Sequence, residues 1–255
     1  PFPANHKRHP NQGGVAKRYS VIQSLRKNNP NTLLFDSGDA FQGTPYFNFY
    51  GGELEFKLMS KMGYHASTIG NHEFDSGIDN ITKQLQHADF DMLNANYDFS
   101  QTSLSGKTRQ HKIYEIGKAK VGVFGLGIEL EGLVSKKLYQ DTVYHDPVEV
   151  AREQAYILKG QEKCDLVICL SHLGFDYSSK KISDKKLAEL TSGIDLILGG
   201  HTHTFLDQPV NVKNADQQNV MINQVGWAGI NLGKIDFFIS KDQPGKASAS
   251  LITLD

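Results

Sequence analysis

Four short polar stretches, each following a run with the character of a buried strand, constrain this chain more than anything else in it. They are Gly38-Asp39, Gly70-Asn71-His72-Glu73, Ser171-His172 and Gly200-His201-Thr202-His203. The runs before them, Thr32 to Phe35, Ala66 to Ile69, Leu166 to Leu170 and Ile194 to Leu198, read as buried β-strands. In an open α/β sheet, ligands gather outside the carboxyl ends of the strands. Four strand ends would then bring Asp39, Asn71, His172, His201 and His203 to one place. One carboxylate, one amide oxygen and three imidazoles make a donor set for borderline divalent cations such as manganese, iron, cobalt, nickel or zinc.

The segments between these stretches support that reading. Val15, Tyr19, Ile22 and Leu25 recur at helical spacing, and Asn28-Asn29-Pro30 ends the helix. Leu54, Leu58, Met59 and Met62 mark a second helix closed by Gly63, and Ile78, Ile81 and Leu85 a third, with Asp91 to Ala95 as a further strand. Strands alternating with helices imply parallel strands covered by helices. Lys112 to Ile116 and Val121 to Leu126 then flank Gly117-Lys118-Ala119-Lys120 as an antiparallel hairpin. Asp146-Pro147-Val148-Glu149 is a helix start: a capping acceptor, proline at the first position, glutamate three residues after the cap. Ser183 is placed to cap a short helix. After His203 the chain is strand-like, at Val220 to Asn223, Lys234 to Ile239 and Ala249 to Leu254. Residues 1 to 14 read as a loop, with His6 and His9 solvated in it. His65, His87, His111 and His145 have no comparable setting and read as surface or core residues. Phe41, Gln42 and Tyr46 are placed either to line the cleft or to pack.

A chain of 255 residues fits one large α/β domain spanning residues 1–255. Its formal net charge of −1 argues against a nucleic acid polymer as partner, since backbone binding needs a basic surface. A small phosphorylated substrate needs no such surface when cations carry the positive charge. No apolar run reaches the length of a membrane span. Cys164 and Cys169 straddle the start of one strand and are expected on opposite faces, as buried thiols.

Gly38 to Gly43 (GDAFQG), Gly70 to Asp75 (GNHEFD) and Gly199 to His203 (GGHTH) resemble the calcineurin-like metallophosphoesterases. Within them the chain is most similar to the amino-terminal domain of the 5'-nucleotidase family, from about Gly13 to its carboxyl end. The resemblance implies a four-layer α/β/β/α sandwich and a two-metal hydrolase acting on nucleotide phosphate esters. Cyclic-nucleotide phosphodiesterase and nucleotide-sugar hydrolase are the alternatives within the class. Asp39, Asn71, His172, His201 and His203 are then the expected metal ligands. For His201 and His203 the expectation also rests on extended backbone, in which residues i and i+2 point the same way. His72 is the implied catalytic histidine, beside the phosphate and not on the metal, with Asp75 three residues on to orient it and favour its charged form. Asn71 and His72 would also meet the substrate.

Two departures qualify the resemblance. The family pattern opens with a strand ending in Asp-x-His, and these 255 residues contain no such triplet. The first strand is therefore expected to be missing, two-metal occupancy to be low, and a non-catalytic binding role becomes an alternative. The family's carboxyl-terminal nucleoside-binding domain is likewise expected to be absent, or supplied by a separate domain or chain. An exported, periplasmic location is the expectation from the family.

Overall fold

The fold is that of a computed structural model, which describes residues 2–43, 45–239 and 246–255; Pro1, where the expected loop begins, lies outside them. The chain enters through α1 (Val15–Asn28), β1 (Phe35–Asp36), α2 (Pro45–Tyr50), α3 (Glu53–Met62) and β2 (Ala66–Ser67). It continues through α4 (Ile78–Gln84), β3 (Asp91–Met92), β4 (Tyr97–Asp98), β5 (His111–Ile116), β6 (Ala119–Leu126), α5 (Lys136–Tyr139) and β7 (Val143–Tyr144). The second half holds α6 (Pro147–Ala155), β8 (Leu166–Ser171), α7 (Asp184–Leu190), β9 (Leu196–Gly199), β10 (Val210–Lys213), β11 (Asn219–Asn223), β12 (Asn231–Phe238) and β13 (Lys246–Thr253).

The helix boundaries follow local chemistry. Gly63 takes the left-handed φ of 73° that closes α3. The Asp146 carboxylate accepts from the N–H groups of Val148 and Glu149 at 2.8 and 3.0 Å, with Pro147 opening α6. The Ser183 hydroxyl caps α7 by accepting from Lys186 N–H. The strands of the first sheet are shorter than the runs that mark them: β1 takes only Phe35 from Thr32–Phe35, and β2 stops at Ser67.

Two sheets stack. β1, β2 and β3 form a small parallel sheet in that order. The large sheet has the order β10-β11-β9-β8-β6-β5, with a parallel centre and an antiparallel strand at each edge. The alternation along β8 shows the layering. Leu166, Ile168 and Leu170 face a core shared with Ala66 and Leu93 of the small-sheet side. Val167 and Cys169 face the opposite core, with Val148 and Ala151 of α6 and Leu187 and Ala188 of α7. A third core sets Ile22, Phe56, Met59, Ile78 and Ile81 of α1, α3 and α4 behind the small sheet. Helix, sheet, sheet, helix is the expected four-layer order. β12 pairs with β13 as a hairpin, whose Ile235 and Phe237 pack against the core between the sheets.

Cys164 and Cys169 are both buried and free, as expected, but they share the helix-side core and do not lie on opposite faces. Strand parity does not apply to them, because Cys164 precedes β8. No described helix is long and apolar enough to cross a membrane.

Candidate metal centre

The carboxyl ends of the two sheets meet. Ser171 of β8 pairs with Gly199 of β9, so His172 and Gly200 leave the large sheet side by side. From the small sheet, the Ser37 hydroxyl donates to the Leu198 carbonyl oxygen at 2.7 Å and ties β1 to β9. The Ser37 carbonyl oxygen lies 2.6 Å from His172 Nδ1. That contact sets the tautomer: with Nδ1 donating to a backbone carbonyl, Nε2 is the free nitrogen, as is usual in metal-bound histidines.

His172 Nε2 lies 2.9 Å from Asp39 Oδ2, but the two are not aligned as a hydrogen bond, and this buried nitrogen has no hydrogen-bond partner among the described residues. His201 Nδ1 lies 2.9 Å from Asn71 Oδ1. If that nitrogen donates, His201 Nε2 keeps its lone pair and the Asn71 oxygen keeps a second one. Asp39, His172 and His201 each present a ligand atom within 4.8 Å of the others. A divalent cation fits this arrangement: an oxygen and two imidazole nitrogens converge, and one nitrogen is orphaned and buried. Glycines make the room. A Cβ at Gly70 would meet Asp39 Oδ1 at 2.2 Å, and one at Gly200 would meet His172 Nδ1 at 2.9 Å.

The electrostatics agree. Burial works against charge on His172, but the Asp39 carboxylate outweighs it and raises its pKa to about 9. A proton on Nε2 there does what a cation would do, balancing Asp39. Burial and the neighbouring His172 lower His201 to about 4, which keeps its imidazole neutral and ready to ligate.

Asp39 has a positive φ of 61° and is held by backbone as much as by charge. Its Oδ1 accepts from the His72 N–H at 2.8 Å. His72 opens a short 3₁₀ turn, His72–Ser76, and its Nδ1 lies 3.0 Å from Asp75 Oδ2, with both side chains partly exposed at the mouth of the site. The expected pair is therefore present.

His203 sits differently from its expectation. His201 and His203 have φ of 65° and 53°, so neither is in extended chain and the same-side argument for residues i and i+2 does not hold. His203 is not one of the three converging donors; its ring lies over Trp227 with centroids 6.1 Å apart. Phe41 is core, while Tyr46 is exposed.

Three residues assigned no role from the sequence shape the centre. Glu73 is buried and accepts from four backbone N–H groups: Asp39 (2.9 Å), Gly70 (2.6 Å), Ala40 (2.7 Å) and Phe41 (3.2 Å). Burial first, then the Asp39 charge, push its pKa up to about 7. Gln224 braces the 200–204 turn: Nε2 donates to the Gly200 carbonyl at 2.6 Å, and Oε1 accepts from the Thr202 hydroxyl at 3.0 Å and from Thr204 N–H. Asp184 lies buried under Gly199 and accepts from the Ser171 hydroxyl. A signal existed for two of them. Glu73 lies inside the GNHEFD motif, and Gln224 directly follows β11, a parallel strand whose carboxyl end points to the same edge.

The sequence pattern of the calcineurin-like phosphoesterases matches residues 6–205. The chain belongs to the calcineurin-like phosphoesterase family. Within that family it is 33% identical over 264 residues to snake venom 5'-nucleotidase from Gloydius brevicauda, covering 95% of this chain and 43% of that protein. Among solved structures, the 5'-nucleotidase precursor of Thermus thermophilus superposes with a TM-score of 0.85 at 30% identity, covering 95% of this chain and 49% of that one. The NAD nucleotidase of Haemophilus influenzae gives 0.85 at 25% identity, covering 95% and 50%. The chain thus spans about half the length of these relatives. Calcineurin-like phosphoesterases use divalent metals, and the Asp39–His172–His201 group is where this member presents donors for one.

Proposed function

We propose that this chain is the metal-bearing part of a phosphoester hydrolase of 5'-nucleotidase type, acting on nucleotide phosphate esters. The observation that carries this reading is the convergence of Asp39, His172 and His201 within 4.8 Å, with Asn71 on His201 and the His72–Asp75 pair at the mouth. Asp39, Asn71, His172 and His201 would hold one divalent cation; for a second, expected on Asp39 and His203, the described residues bring no comparable group of donors together. The candidates are zinc, manganese, cobalt, iron and nickel. Bound there, such ions supply Lewis acidity toward the phosphoryl oxygens.

The chain's own residues do the rest. Asp75 fixes the His72 ring through Nδ1, which leaves Nε2 to donate a proton toward a phosphoryl or leaving oxygen. Asp39 Oδ1 holds the His72 backbone, so ligand and acid are placed by one carboxylate. Asn71, next to His72, is the neutral contact for a phosphate oxygen. The buried floor under His172 keeps water out on the core side.

The similarity to nucleotidases supports a small nucleotide substrate, and the venom relative supports an exported location. The span of about half those relatives leaves room for a separate nucleoside-binding domain or chain. Replacing His201 or Asn71 by Ala in the full-length protein is expected to abolish metal-dependent release of phosphate from AMP. Retained activity would overturn the reading. A panel of AMP, cyclic AMP and a nucleotide sugar separates nucleotidase from the two alternative hydrolases.

A further inference from the structure

The loop that joins His172 to α7 is basic and is fastened to the metal centre. Residues 173–186 hold four lysines, Lys180, Lys181, Lys185 and Lys186, against two carboxylates, Asp176 and Asp184. Both carboxylates are engaged elsewhere. Asp176 Oδ2 pairs with Lys185 Nζ at 2.7 Å, and Asp184 is buried against the Ser171 hydroxyl. Lys186 Nζ donates to the carbonyl oxygens of Ser179 and Lys181, the latter at 3.1 Å, and ties the loop to α7. The charges of Lys180 and Lys181 are thus left without a carboxylate among the described residues.

Lys181 differs from Lys180 in being held over a ring. Its Nζ lies 5.0 Å from the Tyr177 ring centroid, a cation–π contact. Tyr177 is itself fixed at the strand end. Its hydroxyl donates at 2.6 Å to the carbonyl oxygen of Leu173, the residue after His172, and a Cβ at Gly174 would meet that hydroxyl at 2.2 Å. The same loop is tied to the other histidine, because Phe175 N–H donates at 3.0 Å to the hydroxyl of Thr202, the residue after His201. The two ligand-bearing segments therefore set where the Lys181 ammonium stands, while Lys181 itself is exposed and open to a solute. Its charge reaches His201, where it adds to the burial and the His172 charge that hold the imidazole low. A cation without a counter-ion works against a divalent ion bound nearby, so the arrangement favours an anion that docks on that ion.

We infer that Lys181 is a substrate-binding and specificity-determining cation of this centre, meeting the dianionic phosphoryl group of a phosphate monoester as it docks. The inference rests on the phosphoesterase reading of the site but not on any one nucleotide. A monoester carries close to two negative charges near neutral pH and a cyclic diester one, so the same ammonium favours the first.

Inorganic phosphate is the probe, and the visible absorption of the cobalt-loaded full-length protein reads its binding. Lys181→Met keeps the aliphatic stem over Tyr177 and removes the charge. At low salt it should weaken phosphate about fivefold, the scale of one charge acting on a dianion across about 8 Å of water. Lys181→Arg, which keeps the charge, should restore phosphate to within about twofold of the parent. Lys180→Met should leave it unchanged. The KM for AMP should rise with the phosphate dissociation constant while kcat holds, as for binding shared by ground and transition states, and cyclic AMP should be affected less. Unchanged phosphate affinity in Lys181→Met, or an equal loss in Lys180→Met, overturns the inference. If the parent hydrolyses AMP and Lys181→Met does so with the same KM, the role of Lys181 falls and the nucleotidase reading stands. If phosphate binding depends on Lys181 in a protein that leaves AMP intact, Lys181 keeps its role and the nucleotidase reading falls.

Discussion

The two sheets hold their share of the metal centre in different ways. β8 is six residues long and every one is buried, with a core on each face. β1 and β2 are two residues each. His172 and His201 are therefore placed by packed strands, whereas Asp39 and Asn71 leave short strands, and the backbone of Asp39 and of Gly70 just before Asn71 is held by hydrogen bonds to one side chain, Glu73. A carboxylate that accepts four N–H groups does for a loop what a packed face does for a strand. The two devices fail differently, and that difference can be measured.

The largest effect is expected at Glu73. Glu73→Ala orphans the N–H groups of Asp39, Ala40, Phe41 and Gly70 together. Each orphaned buried donor costs about 1–3 kcal/mol, partly relieved where water enters, so a loss of about 4 kcal/mol is expected in urea unfolding. Cobalt affinity, read from its visible absorption, should fall with it, because Asp39 loses its support. Leu170→Ala on β8 attacks the other device. A cavity between the sheets should cost about 3 kcal/mol, within the range for buried leucines, while the residual folded protein binds cobalt as before. Equal losses of cobalt affinity in the two variants would erase the distinction between the sheets. Gln224→Ala comes next, at about 2 kcal/mol. It frees the Gly200 carbonyl, the Thr202 hydroxyl and the Thr204 N–H, and should alter the cobalt spectrum through His201 more than it alters stability.

The same contrast explains what was legible in the sequence. The large sheet announces itself, because Leu166 to Leu170 is unbroken and apolar, Ile194 to Leu198 is apolar but for Asp195, and named donors follow both. Asp39, Asn71, His172 and His201 all come to one place, as strand-end reasoning requires. The small sheet was legible as elements but not in extent, since its strands stop where side-chain acceptors take over the backbone. The left-handed turns at His201 and His203 were hidden for a related reason. Their geometry is set by Gln224, more than 20 positions away in sequence, and by close approach at Gly200. Nothing in the local spacing of a His-Thr-His triplet separates such a turn from a strand. The contacts of Phe2 with Trp227 and of His9 with Phe205 were invisible in the sequence, because only the fold brings these residues together.

Asp184 gives the smallest effect at low pH and the sharpest sign. Its side chain is fully buried; one oxygen accepts from Ser171 and the other has no partner among the described residues. Burial pushes its pKa up to about 8, against the opposing pull of the Ser171 hydrogen bond and the His172 charge. A carboxyl of the unfolded chain titrates near about 3.9. Between those values the folded chain keeps a proton that the unfolded chain has lost. Its contribution to stability is thus fully present below about 4 and drains away as pH rises through about 8. Asp184→Asn keeps the shape and removes the titration, and its amide can face the same pocket without charge. At pH 4 the substitution should change the stability of the metal-free chain by less than about 1 kcal/mol, the range of a near-isosteric swap without lost packing. At pH 8.5 the variant should be the more stable of the two, with the remaining pH dependence belonging to Glu73 and His172, whose raised values give the same sign. Urea unfolding at the two pH values reads this directly. A variant that loses as much stability as the parent between them would show that Asp184 stays ionised in the fold, and that something other than a shared proton sits beneath Gly199.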